Sequence, residues 1–197
     1  MSESQAPFLP GQGQAHSRLH ALLRVDHAGE LAAVHIYQAQ AAVFAQTGHK
    51  ALSSDFVRMQ GEEQVHLDYF EKRLRQHNLS PTIMTPIWRL AALGLGAGTA
   101  LMGPKAAHIC TQAVESVIEA HYADQVASIA DENPELAADL SQFREDELGH
   151  QAHAQDEIES DLNREPARPS VIGLGDTLLA EFIKMGCRAA IKISEAI

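Results

Sequence analysis

Glu63-Gln64-Val65-His66 and Glu147-Leu148-Gly149-His150 are one pattern, Glu-x-x-His, written twice in the chain. Each copy follows a lone glutamate at nearly the same distance: Glu30 stands 33 residues before Glu63, and Glu115 stands 32 residues before Glu147. On a helix, positions i and i+3 share a face, so each Glu-x-x-His aims one carboxylate and one imidazole at one point. Two such motifs and two lone glutamates, drawn from four helices, are the ligand set of a carboxylate-bridged dinuclear metal site. In a chain with 26 acids and 11 histidines, a single chance Glu-x-x-His is expected. Two on separate helices, each with a matched lone glutamate, are much harder to obtain by accident. Ala28, Ala32 and Ala33 flank Glu30, and Val114 and Val117 flank Glu115. Acids on such small or apolar helix faces need partners once buried.

The donor types narrow the metal. Carboxylates and imidazoles suit iron(II) and manganese(II), whereas a structural zinc site usually draws on cysteine or more histidine. Glu30, Glu63, His66, Glu115, Glu147 and His150 give six ligands for two ions and leave open positions for O2. Glu62 precedes His66 by four residues and Asp146 precedes His150 by four, each one turn back on the same side. A metal-bound histidine commonly gives its other N–H to a carboxylate, so Glu62 and Asp146 are read as supports for the imidazoles. Glu62 could trade roles with Glu63, but the i,i+3 spacing shared by both halves favours Glu63. Tyr37 follows Glu30 by two turns and Tyr122 follows Glu115 by two turns; each is placed to hydrogen-bond near the site or to pack as a core tyrosine. His27, His121 and His153 are read as surface or neighbouring residues rather than ligands, and His35 and the two cysteines as structural. Gly94-Leu95-Gly96-Ala97-Gly98 follows no strand, so its glycines point to close helix packing and not to a phosphate loop.

Around these motifs the chain reads as six helices, over about 17–46, 51–77, 86–102, 105–130, 134–162 and 170–195. The breaks are Thr47-Gly48-His49, Asn78-Leu79-Ser80-Pro81, Gly103-Pro104, Asp131-Glu132-Asn133-Pro134 and Asn163–Pro169. Short loops make the first and second helices antiparallel neighbours, and likewise the fourth and fifth. The apolar third helix between the pairs serves as the long crossover. The expected fold is all-α: a ferritin-like four-helix bundle with two additional helices. Residues 1–16, rich in Pro, Gly and Gln, read as a flexible leader, and 17–197 as a single domain.

Composition sets further limits. A formal charge of −11, with no basic stripe, argues against nucleic acid as a partner. Two cysteines without a CxxC suit a reducing compartment. Leu90–Met102 is uncharged over 13 residues, too short to span a bilayer comfortably, and Trp88 and Arg89 precede it. Such a segment suits the membrane interface. Leu174, Leu178, Phe182, Met185 and Ala189 form one stripe on the last helix, a second apolar face of the same kind. Membrane contact is therefore expected through about 86–103, with 171–196 as a second candidate.

Arg24-Val25-Asp26-His27-Ala28-Gly29-Glu30 resembles the opening signature of the Coq7 family, the demethoxyubiquinone hydroxylases. Thr99–Gly103, Cys110–Glu115, His121-Tyr122, Phe143–His150 and Gly186–Ile191 also resemble that family, in family order, over nearly the whole chain. The resemblance implies a ferritin-like bundle holding two iron ions on the same six residues. It implies ring hydroxylation of a polyprenylated demethoxyubiquinol with O2 in ubiquinone synthesis, with two electrons from the quinol or an outside reductant. It implies a peripheral protein, at the cytoplasmic face of the cell membrane in a bacterium, with a homo-oligomer or a biosynthetic complex left open. One departure is the spacing of Glu115 and Glu119, where some family members have adjacent glutamates. The competing reading is a ferritin-type ferroxidase, which shares the ligands but suits a polar exterior better than Pro86–Met102 allows.

Overall fold

The computed structural model describes residues 12–164 and 174–196, and among these every regular element is helical: α1 (Gln12–Gln46), α2 (Lys50–Gln76), α3 (Thr85–Met102), α4 (Pro104–Ile129), α5 (Pro134–Arg164) and α6 (Leu174–Ala196). This is the all-α bundle with two extra helices that the sequence predicts. Helix α1 begins at Gln12, inside the expected leader, and residues 1–11 of that leader lie outside the described residues, as does most of the expected loop before α6.

Local chemistry explains the breaks. After α1, Gly48 takes a left-handed φ of 86° and the His49 N–H reaches back to the Phe44 carbonyl at 2.9 Å. After α2, Asn78 takes the same role at φ 55°, and the Leu79 N–H closes on the Leu74 carbonyl at 2.9 Å while Asn78 N–H bonds Arg75. Both are Schellman caps, which occupy carbonyls the helix end would leave unpaired. Gly103, at φ 115°, turns α3 directly into α4, which opens on Pro104. Asn133 caps α5 by accepting the Leu136 N–H, again with proline at the first helical position.

The hairpins α1–α2 and α4–α5 pack face to face. Helix α4 runs antiparallel to α1, as the ties Arg18–Glu132, Asp26–Gln125 and Gln40–Ala107 show by their opposed numbering. Helices α2 and α5 are likewise antiparallel and are joined by Asp55–His153, Tyr69–Asp139 and Arg73–Glu135. Helices α3 and α6 both lie over the α1–α4 side. Helix α3 comes so close to α1 that a Cβ on Gly96 would meet the Ile36 carbonyl oxygen at 2.3 Å, which is the packing role expected of this glycine-rich stretch. A core of Tyr37, Phe44, Phe56, Met59, Phe70 and Tyr122 fills the bundle at both ends of its polar centre.

Candidate metal centre

Glu30 on α1, Glu63 and His66 on α2, Glu115 on α4, and Glu147 and His150 on α5 meet at the middle of the bundle. The four glutamates have 0% exposure, and the two histidines are buried with them. They form two overlapping quartets whose donor atoms lie within 4.8 Å of one another: Glu30, Glu63, His66 and Glu147; and Glu63, Glu115, Glu147 and His150. Glu63 and Glu147 belong to both, so each could serve two ions. The exchange of roles between Glu62 and Glu63 does not occur, since the Glu62 side chain is 44% exposed and Glu63 is sealed.

The donor atoms fit metal ions better than they fit each other. Glu30 Oε2, Glu115 Oε2, both oxygens of Glu63 and Glu147, and Nδ1 of His66 and His150 are buried without a hydrogen-bond partner among the described residues. Native proteins rarely leave such groups unpaired. His66 Nδ1 stands 3.4 Å from Glu63, 3.5 Å from Glu147 and 3.6 Å from Glu30. Two ligand atoms each about 2.0–2.2 Å from a shared divalent ion lie roughly 3–3.5 Å apart. The spacing is thus that of the edges of a coordination polyhedron.

Charge balance points the same way. Burial raises Glu30 and Glu115 well above the usual carboxylate range. Burial opposes the His150 imidazolium, but the Glu147 and Glu63 carboxylates beside it outweigh that and push its pKa up to about 10; Glu147, Glu30 and Glu63 raise His66 in the same way. Burial would also raise Glu147, yet His150 and His66 hold it down to about 2. This is an acidic pocket that demands positive charge at its middle.

The supports for the ligands cross the bundle. His66 Nε2 lies 3.2 Å from Asp146 on α5, and His150 Nε2 lies 3.1 Å from Glu62 on α2. A carboxylate only accepts, so Nε2 of each imidazole donates outward, which leaves Nδ1 facing the centre as the atom that would bind an ion. The expected pairing within one helix, Glu62 with His66 and Asp146 with His150, is therefore corrected. The residues are the right ones but the partners are exchanged, because each imidazole reaches away from its own backbone, past the centre, to the facing antiparallel helix. The tyrosines cross in the same manner. Tyr37 on α1 donates to Glu115 on α4, and Tyr122 on α4 donates to Glu30 on α1. Burial keeps both phenols well above their ordinary pKa, so they remain donors.

The offset that relates Glu30 to Glu115 also relates Tyr37 to Tyr122, and nearly the same offset relates Glu62, Glu63 and His66 to Asp146, Glu147 and His150. The centre thus has a local two-fold arrangement built from two similar hairpins. Residues 17–194 match a family described as ubiquinone biosynthesis protein COQ7. The chain belongs to the COQ7 family. Among curated COQ7 relatives, the 3-demethoxyubiquinol 3-hydroxylase of Rhodospirillum rubrum is 37% identical over 96% of this chain and 83% of its own length. The NADPH-dependent 3-demethoxyubiquinone 3-hydroxylase of Mus musculus is 37% identical over 88% of this chain and 76% of its own length. The 5-demethoxyubiquinone hydroxylase of Saccharomyces cerevisiae is 32% identical over 100% of this chain and 82% of its own length.

Two faces of this COQ7 chain lead to the centre. A notch of about 540 Å³ between α2 and α5 is lined by polar groups, Glu62, Asp146 and His153 among them. On the opposite side an almost wholly apolar cavity of about 380 Å³ runs from Glu30 and Tyr122 to a mouth between α3 and α6, with Trp88, Leu95, Ile183 and Cys187 in its wall. Asp26 and His121 also face this cavity, a role that reading the chain missed. The available signal was that Asp26 lies one turn before Glu30 on the same helix face. Glu119 stands apart, paired with Arg144, and takes no part in the centre. Cys110 is buried and Cys187 partly so, both as free thiols. No described helix is long and apolar enough to cross a membrane.

Proposed function

We propose that this chain is an O2-dependent di-iron monooxygenase that hydroxylates the ring of a demethoxyubiquinol in ubiquinone biosynthesis. The observation that carries this reading is the junction of the two quartets with the apolar cavity: the cavity ends on Glu30, a member of the first quartet. Glu30, Glu63, His66 and Glu147 would hold one iron, and Glu63, Glu115, Glu147 and His150 the other. Iron supplies the redox chemistry that O2 needs to attack an aromatic ring. Asp146 and Glu62 fix the imidazoles, and the Tyr37 and Tyr122 hydroxyls fix Glu115 and Glu30. Ligand atoms oriented in this way have less reorganising to do when charge changes at the centre. The apolar wall keeps water from the ring. One oxygen atom enters the ring, the other leaves as water, and two electrons and two protons per turnover balance the reaction.

The polyprenyl tail requires a way out to lipid. Ile83, Ile87 and Leu90 before and on α3, and Leu178, Phe182 and Met185 on α6, are exposed on the two elements that flank the mouth. An apolar surface of this kind marks an interaction site. The side chain of Leu174, the first member of the α6 stripe, lies outside the described residues. In this reading residues 17–197 act as one domain whose segments 86–103 and 171–196 rest in the bilayer interface, on the cytoplasmic face in a bacterium. A ferritin-type iron-oxidising role shares the ligands but gives the cavity no purpose, and the relatives above are named hydroxylases.

The test is turnover with labelled oxygen. Purified chain is reconstituted with ferrous iron and given a reduced short-chain demethoxyubiquinone and 18O2, and the product is read by mass spectrometry. Label on the ring is the expected result. Oxygen uptake that oxidises iron and leaves the ring unlabelled would move the assignment to iron handling.

A further inference from the structure

The two-fold arrangement that organises the ligands breaks down at one place. By the offset that relates Glu30 to Glu115, Asp26 corresponds to Thr111, His121 to Ile36, and Gln125 to Gln40. Gln40 donates to the Ala107 carbonyl and to Thr99, so that end of the bundle is closed by packing. Gln125 instead donates to Asp26 Oδ1 at 2.8 Å, and His121 Nε2 lies 3.4 Å from the same oxygen. Asp26 and His121 line the apolar cavity; of their counterparts Ile36 lines it too, as an apolar wall residue, and Thr111 does not.

Asp26 is 3% exposed, and its second oxygen, Oδ2, has no hydrogen-bond partner among the described residues. A buried carboxylate oxygen with unused lone pairs costs stability unless something donates to it. It sits in the cavity wall one helical turn from Glu30, beside the inner end where the reacting ring would lie. Burial raises the Asp26 carboxyl, while His121 and Gln125 oppose that shift and favour the ionised form. The other donors along the wall are engaged, Tyr122 with Glu30, Trp88 Nε1 with Ser194 at 3.1 Å, and His121 with Gln125 at 2.9 Å, and the unpaired Glu30 Oε2 belongs to the first quartet.

We propose that Asp26 is the group that selects the redox state of the ring, accepting a hydroxyl of the quinol on Oδ2 and thereby rejecting the quinone. This rests on the quinol reading of the cavity. A quinol brings O–H donors, whereas a quinone brings only carbonyl lone pairs, which a carboxylate repels. Gln125 acts through Asp26 by holding Oδ1, which leaves Oδ2 as the oxygen open to a donor.

The test uses the full chain under anaerobic conditions, loaded with manganese(II) so that neither ligand form is turned over. Trp88 is the only tryptophan of the chain and lines the cavity, so quenching of its fluorescence reports binding there. A short-chain demethoxyubiquinone is titrated as the quinone and as its chemically reduced quinol. The unmodified protein should bind the quinol about tenfold or more tightly than the quinone, the scale of one hydrogen bond to a charged group. Asp26→Asn and Asp26→Ala should bring the two affinities to within about threefold, chiefly by weakening the quinol. Thr111→Ala, at the corresponding position away from the cavity, should leave the ratio unchanged. Equal affinities in the unmodified protein, a comparison that needs no variant to fold, would overturn the role of Asp26 and leave the quinol reading standing. A preference that survives in Asp26→Asn would also overturn it. Failure of both forms to bind the unmodified protein would overturn the quinol reading itself.

Discussion

Asp146 on α5 holds the Nε2 of His66 on α2 across 3.2 Å, although the histidine on its own helix, His150, is only one turn away. The exchange makes each imidazole depend on the opposite hairpin. In a His66→Ala background only the quartet of His150 keeps its imidazole. There Glu62→Gln should weaken the remaining ion by about 10- to 100-fold, the usual cost of losing such a support, while Asp146→Asn should have little effect. Anaerobic competition with a chelator reads both. The reverse ranking would restore the pairing within one helix.

Shared and unshared glutamates should differ in stoichiometry. Glu30→Ala removes one donor from one quartet, and the protein should retain close to one iron per chain. Glu63→Ala removes a donor from both and should retain close to none, with helical circular dichroism preserved in each case. Equal iron content in the two variants would show that Glu63 does not bridge.

The Tyr37 hydroxyl has one task on the observed geometry, which is to hold Glu115. Tyr37→Phe deletes that bond and leaves the ring in place. Iron bound with His150 should weaken by about tenfold, in line with the loss of one hydrogen bond to a charged group. Unchanged affinity by anaerobic titration would make Tyr37 a packing residue only.

Gly96 and Gly94 give a contrast in packing. A Cβ at Gly96 meets the α1 backbone, whereas one at Gly94 meets nothing within 4 Å. Gly96→Val should cost about 1–3 kcal/mol through overpacking and lower the Tm by several degrees. Gly94→Ala should leave stability equal or raise it by up to about 1 kcal/mol, since alanine is the better helix former. Thermal melts of the two variants settle the comparison.

The proposed membrane face can be separated from the centre. Leu90→Asp combined with Phe182→Asp changes two exposed side chains, 72% and 68% accessible, neither of which is in a quartet. Co-sedimentation with anionic and neutral liposomes should fall several-fold while iron content stays constant. Undiminished sedimentation would remove α3 and α6 as the contact.

Much of this architecture is legible along the chain because its signals are local. Gly48, Asn78 and Gly103-Pro104 end or turn helices through their own backbone preferences, and Glu-x-x-His places two donors on one face by helix period alone. The partners of Glu62 and Asp146 are not legible in that way, since they depend on how α2 faces α5, a relation between segments some 80 residues apart. Asp26 escaped notice for the same reason. On α1 it is one more acid near Glu30, and only the packing of α3 and α6 over α1 and α4 gives it a cavity wall to stand in.

Each quartet takes three donors from one hairpin and one from the other: Glu30, Glu63 and His66 are completed by Glu147, and Glu115, Glu147 and His150 by Glu63. On the proposed ligand assignment, neither hairpin alone completes either coordination sphere. Ion binding is then a clasp that closes only on a correctly mated pair of halves. A chain trapped with its hairpins splayed apart would be unable to retain iron, and so would be inert towards oxygen rather than a source of uncontrolled oxidation.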